Sequence, residues 1–216
     1  VRLLVLGVAA LWCAACGAPG PPPPPSAPAT PTAAVVNPAR VDRSRSALPD
    51  GYEVSPYTGL PAPVALWGLR PPADVDPPQC AALASPAVDL ATTKGWSASG
   101  AGGIVYAVVA AAPGGPGVIP ADCARWTVSS GPTTATVREV PAPSVEAAQT
   151  VGMRTDANTV VEGGTETRSH ADTFVAHLGD YVCVVALVTD PGSPHPALGP
   201  QFASDLLTET VSALRG

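Results

Sequence analysis

Basic residues are scarce in this chain: 11 Lys and Arg stand against 17 Asp and Glu, a net charge of −6. Cations that few and that scattered offer no phosphate-binding surface, so nucleic acid is not expected as a partner. Long apolar runs are missing as well. The opening run, Leu3 to Trp12, stops short of the roughly 17 to 25 residues that a membrane-spanning helix requires. The spacings that mark metal chemistry are also absent: there is no H-E-x-x-H, no paired C-x-x-C and no calcium loop. No cofactor is expected, and no fixed-period repeat is present.

Catalytic signatures are equally thin. Gly95-Trp96-Ser97-Ala98-Ser99-Gly100 is the nearest approach to a nucleophile elbow, but it lacks the second glycine of G-x-S-x-G at its required place. It also reads as a strand entering a hairpin, whereas the elbow joins a strand to a helix. Gly100, Gly102 and Gly103 do not spell a phosphate loop, because the spacing and the following helix are missing. The chain is therefore expected not to be an enzyme, with an envelope serine hydrolase and a purely structural envelope protein as the alternatives.

What is present begins with the leader. Arg2, the run Leu3 to Trp12 and Ala14-Ala15 supply in order the basic start, the apolar core of about 7 to 15 residues and the small-residue cleavage site of a secretory signal. Cys13-Ala14-Ala15-Cys16-Gly17 resembles a bacterial lipobox, with Cys13 where an aliphatic residue is usual. That resemblance makes 1–15 the signal peptide, Cys16 the lipid anchor and the membrane a partner through the N-terminal lipid. Removal by signal peptidase I is the alternative, and it yields a secreted protein. Either way the chain is exported, and with the lipid it sits on the outer face of the cell membrane.

Residues 16–46 then read as a spacer. Proline fixes φ and lacks an N–H, so GAPGPPPPPSAPATPTAAVVNPAR takes up extended polyproline II structure and buries nothing. At about 3.1 Å per residue it holds a domain several tens of ångströms from its anchor. Arg40, Arg43 and Arg45 with Asp42 form a charged collar at its end.

Residues 47–216 have the length of one domain. Asp76-Pro77-Pro78-Gln79 reads as a helix start in which Asp76 caps and proline takes the first turn; that helix carries Cys80 to Leu83 and stops near Pro86. Trp96 to Ser99 and Ile104 to Ala111 read as a hairpin, and Trp126 to Val140 as another turning at Ser130-Gly131-Pro132. Ser144 to Met153 reads as a short helix. Glu166 to His170 and Thr173 to Leu178 lead into Tyr181 to Thr189, too apolar for an exposed strand and expected at the centre of the sheet. From Pro200 onward, Phe202, Leu206, Leu207, Val211 and Leu214 recur at helical spacing. The expected fold is α+β: a mainly antiparallel sheet with short helices and a C-terminal helix packed on it.

Beyond the leader the cysteines are Cys80, Cys123 and Cys183. Outside the cytoplasm thiols tend to be oxidised. Cys80 and Cys123 lie outside the predicted strands and are the preferred pair, closing a loop of about 40 residues for up to about 4 kcal/mol in the chain-entropy model. Cys183 sits among valines and reads as a small buried hydrophobe. The other two pairings remain open to the sequence.

The polar stretch Glu162 to Asp172 gathers most of the reactive side chains. Spacing of two on a strand puts His170 and Asp172 on one face, and Glu166 and Arg168 stand just before them. Trp67 has weak strand or helix signals around it and is the tryptophan expected to be exposed, where a large ring supplies contact area to a ligand. These five are the candidate ligand-binding residues, for a small ligand or another envelope protein.

The segments Gly102 to Val109, Val160 to Phe174, Leu178 to Val182, Val188 to Pro196 and Leu206 to Gly216 resemble a family of mycobacterial exported proteins, many of them lipoproteins, built on a domain of unknown function. More distantly, Pro77-Pro78-Gln79-Cys80-Ala81-Ala82 and the later Cys123 resemble the extracellular sensor domain of PknH-type receptor kinases. That kinship implies a mixed α/β fold, disulfides and a ligand cleft, in a chain with neither a kinase nor a transmembrane helix.

Overall fold

A computed structural model describes residues 35–114, 117 and 119–216. The leader, Cys16 and most of the proline-rich stretch lie outside the described residues. Among the described residues nine strands form a single sheet: β1 (Glu53–Pro56), β2 (Asp74–Asp76), β3 (Asp89–Gly100), β4 (Gly103–Ala111), β5 (Arg125–Ser130), β6 (Thr133–Val140), β7 (Gln149–Val160), β8 (Glu166–Leu178) and β9 (Tyr181–Thr189). Their order is β1-β3-β4-β9-β8-β7-β6-β5-β2, with every neighbouring pair antiparallel. The hairpin β3–β4 and the meander β5 to β9 meet where β9 returns beside β4. Short strands β1 and β2 close the two edges, each stopped by proline, which leaves little free ladder for unwanted pairing.

The helices are α1 (Pro63–Leu66), α2 (Ala81–Ala84) and α3 (Pro200–Arg215). The fold is thus α+β. Strand β9 is buried from Val182 to Leu187, as its run of apolar residues requires, because both sheet faces are covered there. On one face α3 lays Leu206, Leu207, Val211 and Leu214 on β4, β8 and β9 against Trp96, Val105, Phe174 and Leu187. Each such side chain contributes about 1.5–3 kcal/mol by leaving water. On the other face α1, α2 and their loops cover Trp67, Trp126, Val137, Met153 and Val184. Cys80 and Cys123 form a disulfide that ties the start of α2 to the turn before β5. Cys183 is a free, buried thiol.

Several expectations need correction. Residues Pro38–Ala47 form a 3₁₀ segment that packs beneath α3, so the fold starts upstream of residue 47. Val41 and Ser44 are buried there, and the Trp96 indole nitrogen donates to Val41 O at 3.1 Å and to Ser44 Oγ at 3.3 Å. Asp76 caps no helix; it ends β2, paired with Thr127. Helix formation over Ser144 to Met153 does not occur. Ala147 adopts φ 48°, a left-handed conformation that ends any helix there, and β7 begins two residues later, where its β-branched Thr150 and Val151 suit a ladder with β8. Strand β8 is continuous from Glu166 to Leu178, where the sequence was read as two pieces. Trp67 is 4% exposed, not a surface ring.

Candidate functional site

Helix α3 covers one face of β4, β8 and β9, and the 141–148 segment packs beside it over the Val140–Gly152 end of β6 and β7; the rest of that face of β5, β6 and β7 has no element packed on it. Side chains alternate across a strand, so burial of Trp126, Val128, Ala135, Val137, Met153, Thr155 and Ala157 against the opposite layer aims their neighbours at this open face. Register then sets them in rows. One row runs Arg125, Arg138, Arg154, Asp172 and the next Thr127, Thr136, Asp156, His170. A third holds Ser129, Thr134, Asn158 and Arg168.

At the border between this platform and α3, five side chains alternate in charge. Arg138 pairs with Asp156. Asp156 Oδ1 meets His170 Nδ1 at 2.9 Å, His170 Nε2 meets Asp172 Oδ2 at 3.3 Å, and Arg154 Nε donates to Asp172 Oδ1 at 3.0 Å. A neutral imidazole has one N–H, so only the imidazolium donates to both carboxylates. The hydrogen bond to Asp172 raises the His170 pKa above the ordinary imidazole value; burial opposes the shift and the Asp156 hydrogen bond reinforces it. For Asp172, burial pushes the carboxyl up, but the hydrogen bonds from His170 and Arg154 outweigh it and the pKa is lowered. The Asp172 side chain is only 4% exposed. A buried charge of this kind is tolerated because it is paired and hydrogen-bonded on both oxygens.

Of the five candidates read from sequence, β8 places Glu166, Arg168, His170 and Asp172 on this face. His170 and Asp172 belong to the charge network, whereas Glu166 and Arg168 form an exposed pair 3.9 Å apart nearer the β7–β8 turn. Trp67 lies under the opposite face, where its Nε1 donates to Thr173 Oγ1 at 2.8 Å and its ring meets Trp126 at 6.0 Å. It therefore belongs to the core and not to this site. Sequence reasoning missed Arg125, Arg138, Arg154 and Asp156. Arg154-x-Asp156 mirrors His170-x-Asp172, a signal missed because the start of β7 is read as the end of a helix and the residues after Met153 are assigned to no strand.

The arrangement has consequences for chemistry. Both His170 nitrogens are engaged by carboxylates, and the two carboxylates lie on opposite sides of the ring, so they do not converge on one ion; no metal-holding group occurs among the described residues. Ser97 and Ser99 alternate with Trp96 and Ala98, which face α3, and so they belong to the other sheet face. They also lie on β3, three strands from β8. A separate cleft of about 390 Å³ opens at the sheet end, where the β3–β4 turn and the loop after β9 place Ile104, Val188, Ser193 and His195. No helix among the described residues is long and apolar enough to cross a membrane.

A single antiparallel sheet with one long helix on one face and a disulfide-tied layer on the other defines the class. By its sequence the chain belongs to the DUF5642 family, a domain of unknown function, matched over residues 37–215. The fold is similar to that of an uncharacterized protein of Mycobacterium smegmatis, the Rv0999 ortholog, with TM-score 0.60 and 21% identity over 84% of this chain and 98% of that one. No curated protein matches.

Proposed function

We propose that this is a cell-envelope lipoprotein whose α+β domain binds a small ligand or another envelope protein, without catalysis, in the manner of a sensor domain. The observation that carries the binding reading is the open half-sheet, a polar surface bordered by the Arg138–Asp156–His170–Asp172–Arg154 network. Ordered charges held by buried partners present fixed hydrogen-bond directions, which is what selects a ligand. The full engagement of His170 by carboxylates supports binding over the serine-hydrolase alternative. Export, the lipid on Cys16 and attachment to the outer face of the membrane rest on the leader and its lipobox-like end; the disulfide is compatible with that compartment.

The test is a thermal-shift and imidazole NMR screen of the full chain against envelope metabolites, because a ligand of the native state raises apparent stability by mass action. A ligand that shifts the His170 resonances supports the reading. Silence across the panel favours a structural role, and labelling of one serine by a serine-reactive probe, lost in His170→Ala, would establish the hydrolase instead. The intact mass of membrane-extracted protein checks the anchor: a diacyl or triacyl addition on Cys16 is expected.

A further inference from the structure

The open face carries a feature that the charge network does not explain. Arg125, Arg138 and Arg154 are direct cross-strand neighbours on β5, β6 and β7. Strands lie about 4.8 Å apart, so three guanidinium groups start from a line only about 10 Å long. Like charges directly opposite each other destabilise a sheet, and the fold does this twice in succession.

The compensation is lopsided. Asp172 takes only the Nε of Arg154 and Asp156 takes one Nη of Arg138. Both carboxylates stand on β7 and β8, on one side of the row. Asp74 and Asp76 of β2 share this face, in register with Ser129 and Thr127, but among the described residues no carboxylate lies within ion-pair distance of Arg125. The cations are scattered along the sequence, and from that scatter no phosphate-binding surface is expected, but register gathers four of the 11 Lys and Arg, namely Arg125, Arg138, Arg154 and Arg168, on this one face. The adjoining row adds the hydroxyls of Thr127 and Thr136, with Thr127 exposed and Thr136 half-buried.

We propose that the Arg125–Arg138–Arg154 row is a binding site for a ligand bearing two or three oxyanion groups, phosphate or carboxylate, spaced to match neighbouring strands. Free N–H forks bind such groups bidentately, and the threonine hydroxyls bind the frame that carries them. A bound oxyanion offsets the repulsion between the three guanidinium groups. This assignment rests on the proposed binding role of the open face and gives it a ligand class.

The full chain is titrated with inorganic tripolyphosphate at low salt, following arginine Nε–Hε signals and affinity. Arg125, Arg138 and Arg154 signals are expected to move, and those of Arg40, Arg70 and Arg215 to stay. Arg125→Gln is expected to weaken binding about tenfold, the loss of one charged hydrogen-bonding group, while leaving stability unchanged or raised because a repulsion is gone. Arg125→Lys retains the charge without the fork and falls between, and Lys94→Gln changes nothing. Vesicles of phosphatidylglycerol form a second arm: binding to them that Arg125→Gln abolishes places the anions on a lipid headgroup and supports the row equally. Affinity for both probes unaltered by Arg125→Gln, or no binding of either, overturns the proposal. A neutral ligand that shifts His170 while the arginine signals stay fixed would overturn it too, yet leave the binding role of the face standing.

Discussion

Trp67 and Thr173 join the two sides of the molecule: the indole N–H of Trp67 reaches through the lower layer to the Thr173 hydroxyl at 2.8 Å. Thr173 follows Asp172, whose carboxylate points to the other face. The backbone that positions the charge network is therefore pinned from below by a fully buried hydrogen bond. Trp67→Phe keeps an aromatic ring but removes the donor and part of the indole volume, leaving the Thr173 hydroxyl unsatisfied. A loss of about 1–3 kcal/mol is expected in urea unfolding, and Trp67→Phe/Thr173→Val should recover part of it.

The charge network makes stability depend on pH in a defined window. His170 is raised, so its contribution is complete below the ordinary imidazole value of about 6.5 and is lost as pH rises through the higher folded-state value. Asp172 is lowered, so its contribution is present above the ordinary carboxyl value of about 3.9 and is lost as pH falls through the lower folded-state value. The stability difference between the wild type and His170→Gln should therefore be largest between these ordinary values and shrink as pH climbs beyond the imidazole range. Burial lowers the pKa of His177, which acts in the opposite direction and cancels in that difference.

Asp172→Ala is expected to be more damaging than Asp156→Ala. Asp172 is almost fully enclosed and its removal strands the partly buried Arg154, whereas Asp156 is about half exposed. Breaking a buried pair costs about 3–5 kcal/mol, and an exposed pair about 1 kcal/mol or less. Chemical denaturation of the two variants at the same pH compares them directly.

Reduction of Cys80–Cys123, or its replacement by two alanines, is expected to lower stability by about 2–5 kcal/mol. Cys183 should stay unreactive toward thiol reagents in the native protein under either condition. It is fully enclosed, and burial pushes its thiol pKa up to about 12, so the attacking thiolate is absent. Labelling of Cys183 in the native protein, located by peptide mapping, would contradict this.

Truncation of Leu207, which is completely buried between α3 and the sheet, should cost about 2–5 kcal/mol as a cavity opens. Leu207 contributes no side chain to the open half-sheet, so affinity for an oxyanion probe should survive in the folded fraction.

Local pattern revealed much of this architecture. Tyr181 to Thr189 announces a central strand by composition, and Pro200 to Arg215 announces its helix by spacing and an N-terminal proline. The two hairpins follow from glycine-bearing turns. Strand β7 was obscured because Glu146, Ala147, Ala148 and Gln149 carry strong helical propensity, and tertiary pairing with β6 and β8 overrides it. The site suffered most from this. His170 and Asp172 are visible as an alternating pair, but Arg138, Arg154 and Asp156 become their neighbours only through register, which pairs residues far apart in sequence. Trp67 illustrates the converse: its local sequence is featureless because what buries it is Trp126 and β8, both distant in the chain.

Asn37 N–H donates to Leu214 O at 2.9 Å, and the 3₁₀ segment that follows packs along α3. The N-terminal segment of the domain thus completes its contacts only with the C-terminal helix. Strand β4 likewise waits for β9 on one side. As the chain emerges from its N-terminal end, Val41, Trp96 and Val105 stay uncovered until Pro200 to Arg215 has followed. So distant a set of pairings makes folding slow and leaves a long interval in which a chaperone or a protease can meet the unfinished half of the sheet.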